Sequence, residues 1–557
     1  MTRTHRTSNA VTRARTIAMT LALTGALAGT LSSALPRTLH AQRVSGTADV
    51  SAEGYTVSGR EARRPGAVGR MSLSPVFDLW GIQIGANLTW DSETQFAARS
   101  LNRYALNPRW TTGEAWVGDH APSLGATMLE GTVIRGAGVR LQRGLLMLRL
   151  HGGRADDVAF VDPLGFGTVD ARLAAPRVKP LHRAIGAGTL SIGSARNSIT
   201  FTGLWASDRE PALGDTVAPA PQANVIGGID LFTEFRPGWR LEAGARASLH
   251  NYDTRNDSLP FSFKEEFGGI AALLDKLFTV RSGTRGDVAW HTEVAAPAPW
   301  GAVRLRAERI GPGYVSLGVP TLPSDWQQLE GSTSFSLARG RVNGLLGGGV
   351  RTDGVLASGA GETWRGTGTA ALNFADGPWS VNLSAMLNKL ERRAVVDTFG
   401  LVNVARAMSI APRLALGSAH AVGVSASWQE NETEAGILAP YGARSFNAAV
   451  QWEWLMRDGL TLAVSPALVT ASDTARLERL TTASATLGWR PREGRASGSL
   501  AVSGGQSLIG DQLQVAGDLR IKLGAIGSAV ARARLARFSG SVTYREALVS
   551  LGIMRSF

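Results

Sequence analysis

Apolar and polar positions alternate with a period of two along much of the chain, the pattern of strands with one oily and one wet face. It is clearest in the final stretch, 547–557. Ala547, Val549, Leu551, Ile553, Arg555 and Phe557 fall on one face, and Leu548, Ser550, Gly552, Met554 and Ser556 on the other. Arg555 interrupts the apolar face close enough to the end to reach headgroup level. A tilted strand needs about 9–11 residues to cross a bilayer, and this segment supplies them. Near the other end Trp80, Ile82, Ile84, Ala86, Leu88 and Trp90 alternate with Gln83, Gly85, Asn87 and Thr89. That is an apolar face closed by tryptophan at both sides, as interfacial aromatic girdles demand.

The connections between alternating segments sort into two kinds. Short Gly- and Asp-bearing turns occur at Arg143-Gly144, Arg236-Pro237-Gly238, Ala338-Arg339-Gly340, Asp376-Gly377-Pro378 and Arg457-Asp458-Gly459. These read as hairpin turns. Longer polar connections are expected at 152–181, 208–224, 253–285, 311–327, 388–403 and 429–443. Tight turns alternating with long loops are what a transmembrane barrel requires at its two rims. The fold class is therefore all-β, a single large antiparallel transmembrane β-barrel of about 24–26 strands. One stretch, 267–278, has helical spacing instead, with Ile270, Leu273, Leu274, Leu277 and Phe278 on one stripe. Such a stripe must bury against the wall, another loop or the outer leaflet. Folded inward it is the candidate constriction; otherwise it caps the outer rim.

The first forty residues change the compartment. Arg3, Arg6, Arg13 and Arg15 precede an apolar run over 17–34, and Ala41 offers a cleavage point, with Ala34 as the alternative. This describes a secretory signal peptide over 1–41, leaving 42–557 as the barrel. The chain has no Cys, so no disulfide framework is expected. Beyond the leader no run of 18 apolar residues occurs, so no transmembrane helix is expected. The formal charge is +13, of which the five arginines of the leader (Arg37 is the fifth) account for five, leaving +8. For an exported chain that charge points to anionic lipid headgroups and small anionic solutes rather than to nucleic acid. No composition shift or linker divides 42–557.

Candidate chemistry is sparse. The eight His are scattered and none stands at i,i+4 to another, so no zinc site is expected; neither a Walker loop nor G-x-S-x-G occurs. His291 shares a face with Glu293, and His151 with Arg149, as polar lining. Asp253, Asn256 and Asp257 lack the twelve-residue calcium-loop pattern. No catalytic residue, cofactor or metal is expected, and no enzyme activity. The informative constellation is basic: Arg520 and Lys522 beside Asp518 and Gln514, Arg532 and Arg534 against outward Ala529, Ala531, Ala533 and Leu535, and Arg304, Arg306 and Glu308. Lys or Arg facing lipid at mid-bilayer costs about 2–4 kcal/mol, so these cations are expected in the lumen. There they either pair with Asp518, Glu308 or Glu453 and support the wall, or attract anions.

An alternating last strand ending in Phe resembles the assembly signal of bacterial outer-membrane β-barrels. The resemblance implies that Leu551, Ile553 and Phe557 are read by the barrel-assembly machinery, and that the barrel's partners include outer-membrane lipids and lipopolysaccharide. Gly118-Asp119 followed by Ile134-Arg135-Gly136-Ala137 resembles strands of fimbrial ushers, over about thirty residues, without the usher's appended periplasmic and plug domains. The stretch 309–318, R-I-G-P-G-Y-V-S-L-G, is similar to a motif of large uncharacterised barrels. The expected function is a porin-like channel with a basic lumen. The alternative is an usher-like channel exporting protein or polysaccharide.

Overall fold

The computed structural model describes residues 43–557 apart from 63, 93–101, 157–181, 210–219, 269–271, 356–360, 394–399, 437, 457–458, 474–476, 492–493 and 541. The expected leader, 1–41, lies outside the described residues. Twenty-six strands, numbered in chain order, form one antiparallel sheet in which each pairs with its successor. The ring closes where β1 (Arg43–Ser58) runs antiparallel to β26 (Tyr544–Ser556), from Thr47 opposite Ser556 to Ser58 opposite Arg545. Phe557 extends the seam: its N–H donates to the Gly46 carbonyl at 3.0 Å, and its own carbonyl accepts from the Gly46 N–H at 2.8 Å. Closure removes the edge strands whose unpaired amides a hydrocarbon environment would not tolerate.

Alternation sets the two faces. On β26 Val549, Leu551 and Ile553 are exposed, and Ser550 and Gly552 point the other way. Cross-strand partners share a face. Leu551 and Ile553 lie opposite Ala531 and Ala529 of β25 (Ser528–Gly540), which carries the oily side onward. Two aromatic belts bound that outward band. Phe235, Trp239, Trp379 and Trp454 lie toward the rim of short turns. Trp90, Tyr104, Trp290, Trp428 and Phe446 lie toward the opposite rim. On β20 (Leu438–Leu455) eight residues separate Phe446 from Trp454, roughly 26 Å of strand. That is on the scale of the apolar band, ~25 Å, of a transmembrane barrel.

Strand length varies from 8 residues in β4 (Arg103–Trp110) and β5 (Gly113–His120) to 18 in β20. This corrects one expected loop. The polar stretch 429–443 is strand on both sides of 436–437, because β19 (His420–Ala435) and β20 continue through it. The polarity there belongs to wall standing above the lipid. Above the Trp428–Phe446 pair, Glu430 accepts from Arg406 at 2.9 Å and from Arg444, on the outward face at headgroup level. A second correction concerns Trp80, which sits with Gly81 in the turn (φ 50° and 81°) rather than on the strand that starts at Ile82. The expected single helix is two short ones, α1 (Phe263–Phe267) and α2 (Ala272–Leu277). Ser262 caps the first, and Gly268, at φ 85°, ends it.

Candidate functional site

The rim of long connections is where the lumen changes character. Loop 121–133, between β5 and β6 (Ile134–Arg143), and loop 311–325, between β13 (Gly301–Ile310) and β14 (Trp326–Leu337), both turn inward. Each is locally compact. The Met128 and Leu129 amides donate to the Gly125 carbonyl at 3.0 and 3.1 Å, and the Tyr314 amide donates to Gly311 at 3.2 Å. Met128, Leu129, Tyr314 and Leu317 are buried against Ile134, Ile185, Leu204, Ala206, Ile226 and Ile310, all on the inward face of their strands. Apolar residues at these inward positions make sense only because the loops cover them.

Polar groups of the loops themselves and of the wall hold the loops in place. Tyr314 donates its hydroxyl to the Thr127 carbonyl at 3.0 Å, and Ser316 to that of Met128 at 2.6 Å. Asn224, on β10 (Ala223–Arg236), donates to the Val315 carbonyl at 3.1 Å and accepts from the Leu317 amide at 3.1 Å. Arg246, on β11 (Trp239–Asn251), holds Asp230 at 2.8 and 3.0 Å and donates to Thr127 Oγ1 at 2.8 Å. Arg183, on β8 (His182–Gly193), pairs with Asp208 at 2.8 Å, both side chains being almost wholly buried, and reaches the Leu317 carbonyl at 3.4 Å. Burial pushes the Tyr314 hydroxyl up to about 12 even though its bond to Thr127 opposes the shift, so it stays a neutral donor. One side of the mouth at the rim of long connections is thereby filled by packed protein.

The helical stripe expected to constrict the channel lies elsewhere. Phe278 and Phe263 are buried against Val225, and Leu274 packs on the same cluster with Trp205 and Leu249. Val225, Trp205 and Leu249 are cross-strand partners on the outward face, and Trp205 donates its indole N–H to the Leu277 carbonyl at 2.8 Å. The helices therefore clasp the outside of the wall, with Leu277 exposed, and do not enter the lumen. The cause is physical: the inward faces at this level of β9 (Asn197–Asp208) to β11 are already covered by loop 311–325. Leu273 lies on α2, and Ile270 falls outside the described residues.

The six expected lumen cations all project opposite the apolar face, but they differ in company. Arg304 donates to Glu293 at 2.7 Å and Arg306 to Glu308 at 2.9 Å, so these two are paired within the wall. Arg520 and Lys522, on β24 (Gly510–Lys522), and Arg532 and Arg534, on β25, have no carboxylate within 4.0 Å among the described residues. Arg534 donates to Gln514 at 2.9 Å. Asp518, directly across from Arg532, accepts from the Ser499 hydroxyl instead. Among the described residues no cluster of three His, Asp or Glu is placed to hold a metal ion. Asp253 is engaged by Arg255 at 2.6 Å, and that guanidinium holds its carboxyl below the usual range. Sequence reasoning did not assign a role to loops 121–133 and 311–325. The available signal was apolar Tyr314, Val315 and Leu317 between glycines in a connection otherwise expected to be polar.

A closed, even-numbered antiparallel ring with an outward apolar band, two aromatic belts and long connections on one rim defines a transmembrane β-barrel of the outer-membrane type. No protein-family model matches the chain, and no curated protein does. Among solved structures it is similar to the translocation pore of the P pilus usher PapC, at 11% identity over 92% of this chain and 99% of that one, TM-score 0.35. It is also similar to the alcaligin outer-membrane receptor FauA of Bordetella pertussis, at 8% identity over 92% and 76%, TM-score 0.35. A third is OpdK of Pseudomonas aeruginosa, solved with vanillate, at 9% identity over 93% and 99%, TM-score 0.30. The Asp119 and Arg135 of the usher-like stretch do meet, as a two-bonded pair at 2.7 and 3.1 Å on the outward face.

Proposed function

We propose that the protein is a passive outer-membrane channel for small anionic solutes. Its mouth is narrowed on the side of β6–β14 by the two inward loops, and its opposite wall presents Arg520, Lys522, Arg532 and Arg534. The observation that carries this reading is that none of those four cations has a carboxylate within 4.0 Å among the described residues, whereas Arg304 and Arg306 are ion-paired. A ring of about two dozen strands is too wide for wall side chains alone to fill. Charges on a low-dielectric wall focus their field into the water that remains and raise the local concentration of counter-ions. Assembly is proposed to depend on the barrel-assembly machinery reading Leu551, Ile553 and Phe557.

The test is the reversal potential of the purified barrel in a planar bilayer under a salt gradient. Replacing Arg520, Lys522, Arg532 and Arg534 together by Gln shifts it toward cations. Replacing the paired Arg304 and Arg306 shifts it less. A conducting quadruple variant with an unchanged potential overturns the reading, as does a wild-type barrel that conducts nothing.

A further inference from the structure

Beneath loop 121–133 the inward face of β5–β7 carries a cavity of about 210 Å³ that the proposed cation strip does not use. Its wall includes Trp116 and His120 of β5, Arg149 and His151 of β7 (Leu146–Asp156), and Glu114. The rings of Trp116, His120 and His151 stand against one another, with centroids 5.0 Å apart for Trp116–His151 and 5.3 Å for His120–His151. Both imidazoles are more than nine-tenths buried, at 9% and 7% exposure. His120 Nδ1 lies 3.1 Å from the Gly118 carbonyl, which fixes the proton there and leaves Nε2 turned away without a partner. His151 Nδ1 and Arg149 Nε are likewise buried and unpartnered. Leaving such groups unsatisfied costs of the order of 1–3 kcal/mol each, so the polar atoms gathered here offer a ligand bonds that the wall itself does not make.

The charge surrounding the cavity decides what. Glu114 is the carboxylate lining it, and that charge is shared between Arg109 at 3.3 Å and Arg140 at 3.4 Å. Arg149 stands directly across from Arg140 on the same face and has no carboxylate partner among the described residues. On the neighbouring strand the same face offers Thr189 and Ala187, and on β6 it offers Gly136 and Gly138, none of them acidic. Three guanidinium groups thus surround one carboxylate. Gly138 lies across from His151, and a side chain there would collide with its imidazole, so the glycine makes the room.

We propose that this cavity is a binding site on the channel wall for a small planar carboxylate. The guanidinium fork of Arg149 matches a carboxylate in plane. The Trp116 and imidazole faces match a flat ring or a conjugated chain. His120 Nε2, held as a lone pair by the bond at Nδ1, accepts from a hydroxyl or amine on the same ligand. The volume lies below the ~300–1,000 Å³ of drug-sized sites, which limits the ligand to a small molecule.

The test is calorimetric titration of the full barrel in detergent with benzoate, cyclohexanecarboxylate and inorganic phosphate. It needs no conduction, so its failure is separate from failure of the channel reading. Benzoate is expected to bind saturably and more tightly than the other two. Arg149→Gln weakens it by about tenfold or more. Arg149→Lys keeps the charge, loses the fork and falls between. Gly138→Ala abolishes binding while leaving every charge in place, and Arg341→Gln, at a distant turn, changes nothing. Absence of saturable benzoate binding overturns the proposal. So does equal binding by Arg149→Gln or Gly138→Ala, or phosphate binding as tightly as benzoate.

Discussion

Single side chains decide which parts of this wall are rigid. Arg246 is buried, two-bonded to Asp230, and tied to loop 121–133 through Thr127. Removing one partner of a buried pair strands the other charge, typically at about 3–5 kcal/mol. Arg246→Ala is therefore expected to release loop 121–133 for proteolysis at protease levels that leave the wild type intact. Unchanged protection would mean that Tyr314 and Ser316 hold the loop unaided. Asp275 does a comparable task outside. Burial alone would raise its pKa, but the amides of Phe263 and Lys264 and the Ser262 hydroxyl donate to it and hold it below the usual value. A depressed carboxylate contributes stability that is present above its unfolded pKa, near 3.9, and is lost as pH falls through the lower folded value. The contact of Trp205 with the helices, followed by fluorescence in a variant keeping that indole, is expected to survive to below pH 4 and to loosen only there. Asp275→Asn should loosen it already at neutral pH. The inward direction of the six basic residues was legible in the sequence because period-two alternation fixes the face of every residue on a strand. Whether each had a partner was not: Arg304 finds Glu293 on another strand while Arg532 leaves Asp518 to a serine, and such choices are set by rotamer and register.

At the scale of elements the sequence was read well where pattern is local and badly where packing is distant. Hairpins announced themselves through Gly377 and Gly238, whose positive φ the tight turns require. The 429–443 stretch misled because strand rising above lipid is as polar as a loop. The helical stripe at 267–278 was visible as needing a partner, but nothing local says which side of the wall supplies one. The inward loops were illegible for the same reason: Tyr314 meets Thr127 across 187 residues of chain. Their placement gives opposite expectations for two deletions. Replacing 312–324 by a short Gly-Ser bridge removes Tyr314 and Leu317 from the lumen and should raise unitary conductance. Replacing 259–280 removes the outer clasp and should leave conductance near the wild-type value while exposing Trp205 and Val225. A larger conductance from the second deletion than from the first would place the constriction back with the helices.

At the scale of the whole molecule the two rims differ in their connections and in the height of the wall. Strand parity puts the connections after even-numbered strands, none longer than six residues, on one rim with the start of β1 and the end of β26, and puts 252–283 and the inward loops 121–133 and 311–325 on the other. Barrels of this class carry their short turns on the periplasmic side and their longer loops outside. The wall is also uneven in height, 8 residues in β4 against 18 in β20, and the surplus rises past Trp428 and Phe446 on the long-loop rim. There the ion-paired belt of Arg406, Glu430, Glu432 and Arg444 suits a charged outer leaflet. Both features favour the rim of long connections as the outer one. Because the chain has no Cys, single substitutions report without background. Gly377→Cys lies in a turn and Ser258→Cys in the long connection, both exposed and on opposite rims. Intact cells treated with a membrane-impermeant maleimide should label Ser258→Cys and leave Gly377→Cys unlabelled until the outer membrane is permeabilised. Labelling of Gly377→Cys alone would invert the barrel, putting the inward loops at the periplasmic mouth. Labelling of both before permeabilisation would mean that the ring does not span the membrane between these two residues.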